Sequence, residues 1–204
     1  MTAPILLIDG RSGSGKSELA LAIVAGWPGA QLVRLDDLYP GWDGLAQGSQ
    51  HVHDEVLTRE APRWRRWHWL ASRPAEWNAL DPERPLVIEG SGALSRSNRA
   101  LADHAIWVEL DDETRKERAL ARDGEMYAPH WDRWSAQEED FIRRENPTSL
   151  ADVIVDGLDV ATAASVWLGE VVWRGGEGAA RVDAWASLGR SGQPPSRRYA
   201  VCAT

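Results

Sequence analysis

The chain has 204 residues, with 31 acidic against 23 basic side chains, a formal net charge of −8 and a pI near 5.2. That length suits one domain with a sizeable core. The acidic balance excludes a general binder of nucleic acid or anionic membrane, which needs a basic field. The single cysteine, Cys202, excludes an internal disulfide framework and a thiolate metal site, and fits a reducing cytoplasm. No basic segment precedes the short first apolar run, so neither a signal peptide nor a membrane span is expected.

The first element predicted is a buried strand at Pro4 to Asp9, PILLID, followed by a helix over Ser17 to Ala25 that Gly26 and Pro28 stop. Between them GRSGSGKS places Gly10, Gly15, Lys16 and Ser17 in the G-x-x-x-x-G-K-S spacing of a phosphate-binding loop. Lys16 is one of only two lysines beside twenty-one arginines. A compact ammonium fits inside such a loop and reaches β- and γ-phosphates, where the broad fork of an arginine does not fit. The backbone N–H groups of Gly13, Ser14, Gly15 and Lys16 then face a phosphate at the positive end of the helix. Ser17 is placed to hold Mg²⁺.

Further apolar runs follow at QLVRL (31–35), PLVIEG (85–90), AIWVEL (105–110) and ADVIVDG (151–157), with helical stretches between them. Five such runs predict a parallel sheet wrapped by helices. Ligands of these sheets sit beyond the carboxyl ends of the strands, so Asp36 and Asp37 should face the same crevice as the glycine loop. An aspartate there can take a proton from an attacking hydroxyl, and Glu89 at the end of the third run can bind Mg²⁺ directly or through water. Glu109, Asp111 and Asp112 read as turn and helix N-terminal acids.

Between the second and third runs, PRWRRWHWL (62–70) packs tryptophans at a spacing that puts Trp64 and Trp67 on one face of a helix, and core packing is its first explanation. The sharper alternative is an acceptor site walled by indoles, with Arg63, Arg66 or His68 as polar contacts. In DDETRKERALARDGEMYAPHW, Arg115, Arg118 and Arg122 fall at i, i+3 and i+7 on one helix face, as a mobile lid that clamps a phosphoryl group would place them. His51 and His53 have no plausible third ligand nearby and are not read as a metal site. From Gly175 the pattern fails, and residues 175–204 read as a mobile tail behind a domain over 1–174.

The loop GRSGSGKS, the DDLY after the second strand, the VIEG of the third and the RKERALARD lid together resemble the small P-loop kinases of the uridine kinase and phosphoribulokinase type, over about residues 4 to 160. The resemblance implies a P-loop NTPase three-layer α/β fold, with a five-stranded parallel sheet, helices on both faces and an arginine-bearing lid. It implies ATP and Mg²⁺ bound around Gly10, Ser12, Gly13, Ser14, Gly15, Lys16, Ser17 and Glu18, with Ser17 and Glu89 at the metal. It also implies an aspartate base at Asp36 and lid arginines Arg118 and Arg122. The acceptor it suggests is a hydroxyl or phosphate of a small metabolite, such as a nucleoside. The chain departs from uridine kinases in offering no match to their β-hairpin or acceptor residues.

A GTPase switch is excluded because an N-K-x-D motif cannot be built from lysines at 16 and 116 alone. The LGRSGQ stretch at 188–193 lies after every predicted strand and is no transporter-ATPase signature. The rival from another class is a nucleotide-binding regulatory protein, which needs Lys16 and Ser17 but neither Asp36 nor a lid. Partners expected are a small acceptor, no nucleic acid and no membrane, with a homo-oligomer left open.

Overall fold

The computed structural model describes residues 3–174; the first two residues and the segment from Gly175, expected above to be a mobile tail, lie outside the described residues. In chain order the elements are β1 (Ile5–Gly10), α1 (Lys16–Gly26), β2 (Gln31–Arg34), a 3₁₀ turn (Leu35–Asp37) and α2 (Leu45–His51), which runs into a π turn (Val52–Val56). Then come β3 (Arg63–His68), β4 (Arg73–Ala79), β5 (Leu86–Glu89), α3 (Arg96–Arg99), β6 (His104–Glu109) and α4 (Asp112–Tyr127). The chain continues through α5 (Trp131–Glu145), α6 (Pro147–Leu150), β7 (Val153–Asp156) and α7 (Val160–Arg174).

The five apolar runs are the five strands of one parallel sheet, in the order β2-β5-β1-β6-β7. Successive side chains point to opposite faces. Leu7, Ile88 and Ala105 therefore pack with Tyr39, Trp134 and Phe141 on one side, while Leu6, Ile8, Val87 and Ile106 meet α1 and α7 through Leu19, Ile23 and Trp167 on the other. This is the three-layer α/β fold. From β1 the chain moves outward to β2 on one side and later to β6 and β7 on the other, and a crevice opens where the direction reverses, at the carboxyl end of β1.

One expectation is overturned here. The tryptophan-rich segment is not a helix: β3 pairs antiparallel with β4 in a two-stranded hairpin, with Trp64 opposite Asn78 and Trp67 opposite Pro74. Aromatic residues favour strands. The register shifts between Arg65 and Trp67, and that irregularity allows a strand to carry the i, i+3 spacing that in sequence looks helical. A hairpin thus stands where the sequence offered no match for one.

Helix α4 starts as expected, with the Asp111 side chain accepting from the Thr114 N–H at 2.9 Å. It is interrupted at Gly124, whose φ of 54° and ψ of −136° are not helical. No helix among the described residues is long and apolar enough to cross a membrane.

Candidate active site

The glycine loop joins β1 to α1 in the crevice. Gly13 and Gly15 take positive φ, 82° and 103°, which only glycine adopts freely. A Cβ on Gly13 would overlap the Arg115 carbonyl oxygen and stand 2.7 Å from its carbon, and one on Gly10 would stand 2.8 Å from Ser14 Oγ. No side chain caps the start of α1, where Gly15 is the N-cap, so the helix presents its first N–H groups to the loop. Lys16 is buried and its Nζ donates to the Arg11 carbonyl at 3.1 Å. Ser14 Oγ is buried without a hydrogen-bond partner. Bare helix N–H groups, an ammonium and an orphan hydroxyl on one glycine loop fit a polyphosphate.

At the far end of the loop, Ser17 Oγ donates to Glu89 Oε1 at 2.9 Å, and Arg34 Nε reaches the same oxygen at 3.0 Å. Glu89 is buried at the end of β5. A hydroxyl beside one carboxylate is the sparse oxygen set that suits Mg²⁺, which takes most of its remaining ligands from water and phosphate. Glu18, in the first turn of α1, is largely exposed and pairs with Arg118 at 3.5 Å.

Asp36 lines a cleft of about 570 Å³ beside the loop, together with Ser12, Tyr39, Trp42, Trp69, Tyr127, Trp134 and the lid residues Arg122, Asp123 and Met126. Dehydration and the negative charge of Glu89 push its carboxyl up from the ordinary range, while Lys16, Arg34 and Arg122 pull it down. Its side chain is 53% exposed, which weakens the first of these causes. Asp37 does not line the cleft, although sequence placed both aspartates in one crevice. The 3₁₀ turn separates them by turning successive side chains in different directions.

Tryptophans do line the cleft, but they are Trp42, Trp69 and Trp134 rather than Trp64 and Trp67. Trp69 comes from the end of the hairpin and its Nε1 donates to the Asp36 carbonyl at 2.9 Å. Trp42 meets Trp69 at 4.9 Å between ring centroids, stacks on His130 at 4.2 Å and lies nearly parallel to Tyr127 at 5.6 Å. The polar contacts proposed from sequence are engaged elsewhere: Arg63 with Glu55, Arg66 with Glu76, and His68 with the Ala71 N–H.

The three α4 arginines expected on a lid do different things. Arg115 is buried, bonded to Asp112 at 2.8 Å and packed over Trp131, so it fixes the base of α4 and does not reach the cleft. Arg118 donates to the Gly157 carbonyl at 3.0 Å, next to the loop, where a Cβ on Gly157 would overlap the Ser14 carbonyl. Arg122 pairs with Asp123 and enters the cleft.

Two buried acids escaped the sequence analysis. Asp9 accepts from the N–H groups of Gly10, Gly92 and Leu94 at 2.6 to 3.1 Å, tying the end of β1 to the loop after β5. Burial pushes its carboxyl up to about 6 against those bonds and Lys16. Glu138, on α5, accepts from Ser12 N at 2.7 Å and Ser12 Oγ at 2.8 Å, and pairs with Arg11 at 3.3 Å. An acid closing an apolar strand was a usable signal for Asp9; nothing in the α5 sequence marks Glu138 from its acidic neighbours.

The central β1, the glycine loop at its end and the helices on both faces of the parallel sheet define the P-loop NTPase fold. The chain is similar to the structure of a possible uridine kinase from Bacillus stearothermophilus, with 16% identity and a TM-score of 0.52 over 76% of this chain and 90% of that one. It is also similar to shikimate kinase from Acinetobacter baumannii in complex with shikimate, with 14% identity and a TM-score of 0.47 over 84% and 94% of the two chains. At 16% identity the feature shared with the first of these is the fold. No family model matches the chain, and no curated protein matches it in sequence.

Proposed function

We propose that the protein is an ATP-dependent phosphotransferase that moves a γ-phosphoryl group to a hydroxyl of a small metabolite. The observation that carries this is the cleft itself: Asp36 and Arg122 face one cavity at the mouth of the glycine loop, walled on its far side by aromatic rings. The N–H groups of Gly13, Gly15 and Lys16 and the Lys16 ammonium would hold the phosphates, with Ser17 and Glu89 toward Mg²⁺. The metal would draw charge from the phosphate oxygens when bound. Asp36 takes the proton of the acceptor hydroxyl, and a carboxyl raised above its ordinary range suits that task better than an ordinary one. Arg118 and Arg122, on the arm that covers the loop, neutralise charge and exclude water.

The walls favour an acceptor with a flat or apolar body. Tyr39, Trp42, Trp69, Tyr127 and Trp134 line it with aromatic rings, and the one cationic side chain among the lining residues, Arg122, is assigned to the phosphoryl group and leaves no second cation for the acceptor. A carboxylate or phosphate on the acceptor would have no fixed counter-charge there. A small-molecule phosphoryl acceptor is thus the expected partner.

The test is ADP release from ATP and Mg²⁺ with a panel of nucleosides, sugars and alcohols, against a no-acceptor control, for the wild type and D36N. Acceptor-dependent turnover that D36N lowers by about 10²–10⁴-fold, with ATP affinity retained, supports the assignment. Tight ATP binding with no turnover on any acceptor supports the regulatory alternative.

A further inference from the structure

Glu138 lies outside everything assigned above, yet it is among the most heavily bonded groups of the crevice. Its side chain is 2% exposed. Oε1 accepts from Ser12 N and Ser12 Oγ, and Ser91 Oγ, which also faces the Gly10 carbonyl, stands 3.0 Å from it. Oε2 faces Arg11 Nε at 3.3 Å and Arg115 Nη1 at 3.8 Å. The glycine loop, the segment after β5 and the base of α4 all converge on one carboxylate.

The peptide unit between Arg11 and Ser12 shows what this convergence does. Its N–H points at Glu138, and its C=O accepts from Lys16 Nζ at 3.1 Å and from the Ser14 N–H at 3.1 Å. One rigid plane is therefore held between a carboxylate at its positive end and an ammonium at its negative end. Turning that plane would remove the carbonyl that fixes Lys16 and open the Arg11–Ser14 turn. We propose that Glu138 is a positioning residue for Lys16, acting through the Arg11–Ser12 peptide and linking α5, directly after the lid, to the phosphate loop. The placement of Lys16 stands on geometry alone; its consequence for ATP rests on the function proposed above.

Because the chain has only two lysines, Lys16 and Lys116, lysine labelled with ¹³C at Cε gives two side-chain signals, that of Lys116 lying over the Trp131 ring, and K16A identifies the Lys16 one. E138Q should shift the Lys16 signal and leave that of Lys116 in place. Calorimetry then completes a cycle with ATP: E138Q should weaken binding about tenfold in the wild-type background and less than twofold in K16A. E139Q, which alters an exposed neighbour that also pairs with Arg11, should leave the Lys16 signal and ATP affinity unchanged. An unmoved Lys16 signal in E138Q, or an equal ATP loss in both backgrounds, overturns the proposal. If E138Q does not fold, E138D, which keeps the charge and withdraws it from Ser12, is read by the same signal. Failure of the wild type to bind ATP would sink the proposed function while the lysine signal still decides the role of Glu138.

Discussion

Gly13 offers a perturbation whose size follows from the structure. G13A places a methyl at a φ of 82°, and a left-handed conformation costs a residue with a Cβ roughly 1–2 kcal/mol. The same methyl overlaps the backbone carbonyl of Arg115, which cannot rotate away as a side chain would. Forcing an extra carbon into close-packed backbone adds about 1–3 kcal/mol, so the expected loss is about 2–5 kcal/mol. Gly29 isolates the conformational part: its φ is 77° and nothing stands within 4 Å of an added Cβ, so G29A should lose only that 1–2 kcal/mol or so. Urea unfolding of both variants measures the difference, and calorimetry with ATP measures whether the loop, pushed off α4, still binds. Equal destabilisation of the two variants would refute the packing of the loop against Arg115, and full ATP affinity in G13A would refute the loop as the phosphate site.

Lys16→Ala should remove a charge-assisted contact worth about 1.5–3 kcal/mol, which weakens ATP roughly 10- to 150-fold without unfolding the chain; calorimetry and a thermal melt check it. Asp9 predicts a pH dependence: its folded-state value of about 6 lies above the ordinary 3.8, so the native chain keeps that proton longer. The stability this confers, about 3 kcal/mol from the shift, is fully present below about pH 4 and is lost as pH rises through 6. Melts of the wild type and D9N from pH 4 to 7 should therefore differ in slope, and parallel curves would contradict it. Trp69→Leu should raise the acceptor KM about 3- to 10-fold through lost ring contact, leaving the ATP KM alone; steady-state kinetics with each substrate varied in turn would show whether it does.

The sequence by itself determined the sheet and the loop. All five strands follow the apolar runs to within a residue or two, because the inner strands β1, β5 and β6, buried on both faces, are nearly continuously apolar and the edge strands β2 and β7 still carry apolar residues that a local window sees. The G-x-x-x-x-G-K-S spacing marks its own geometry, since positive φ and absent side chains are properties of the residues that carry them. The arginine row of α4 was visible by period alone, but its division into a buried base at Arg115 and a cleft residue at Arg122 was not, because helical period does not say what packs against a face.

Tertiary structure decided the rest. Trp42, Trp69 and Trp134 meet only because the turn after β2, the end of the hairpin and α5 converge over the crevice; no spacing within one segment encodes that meeting. The hairpin itself was hidden because an irregular strand imitates helical spacing. Asp9 bonds residues more than 80 positions away and Glu138 bonds one 126 positions away. Each looks in sequence like an ordinary acid. What sets them apart is burial against backbone donors from distant segments, and only the packed chain brings a carboxylate and those donors out of water together.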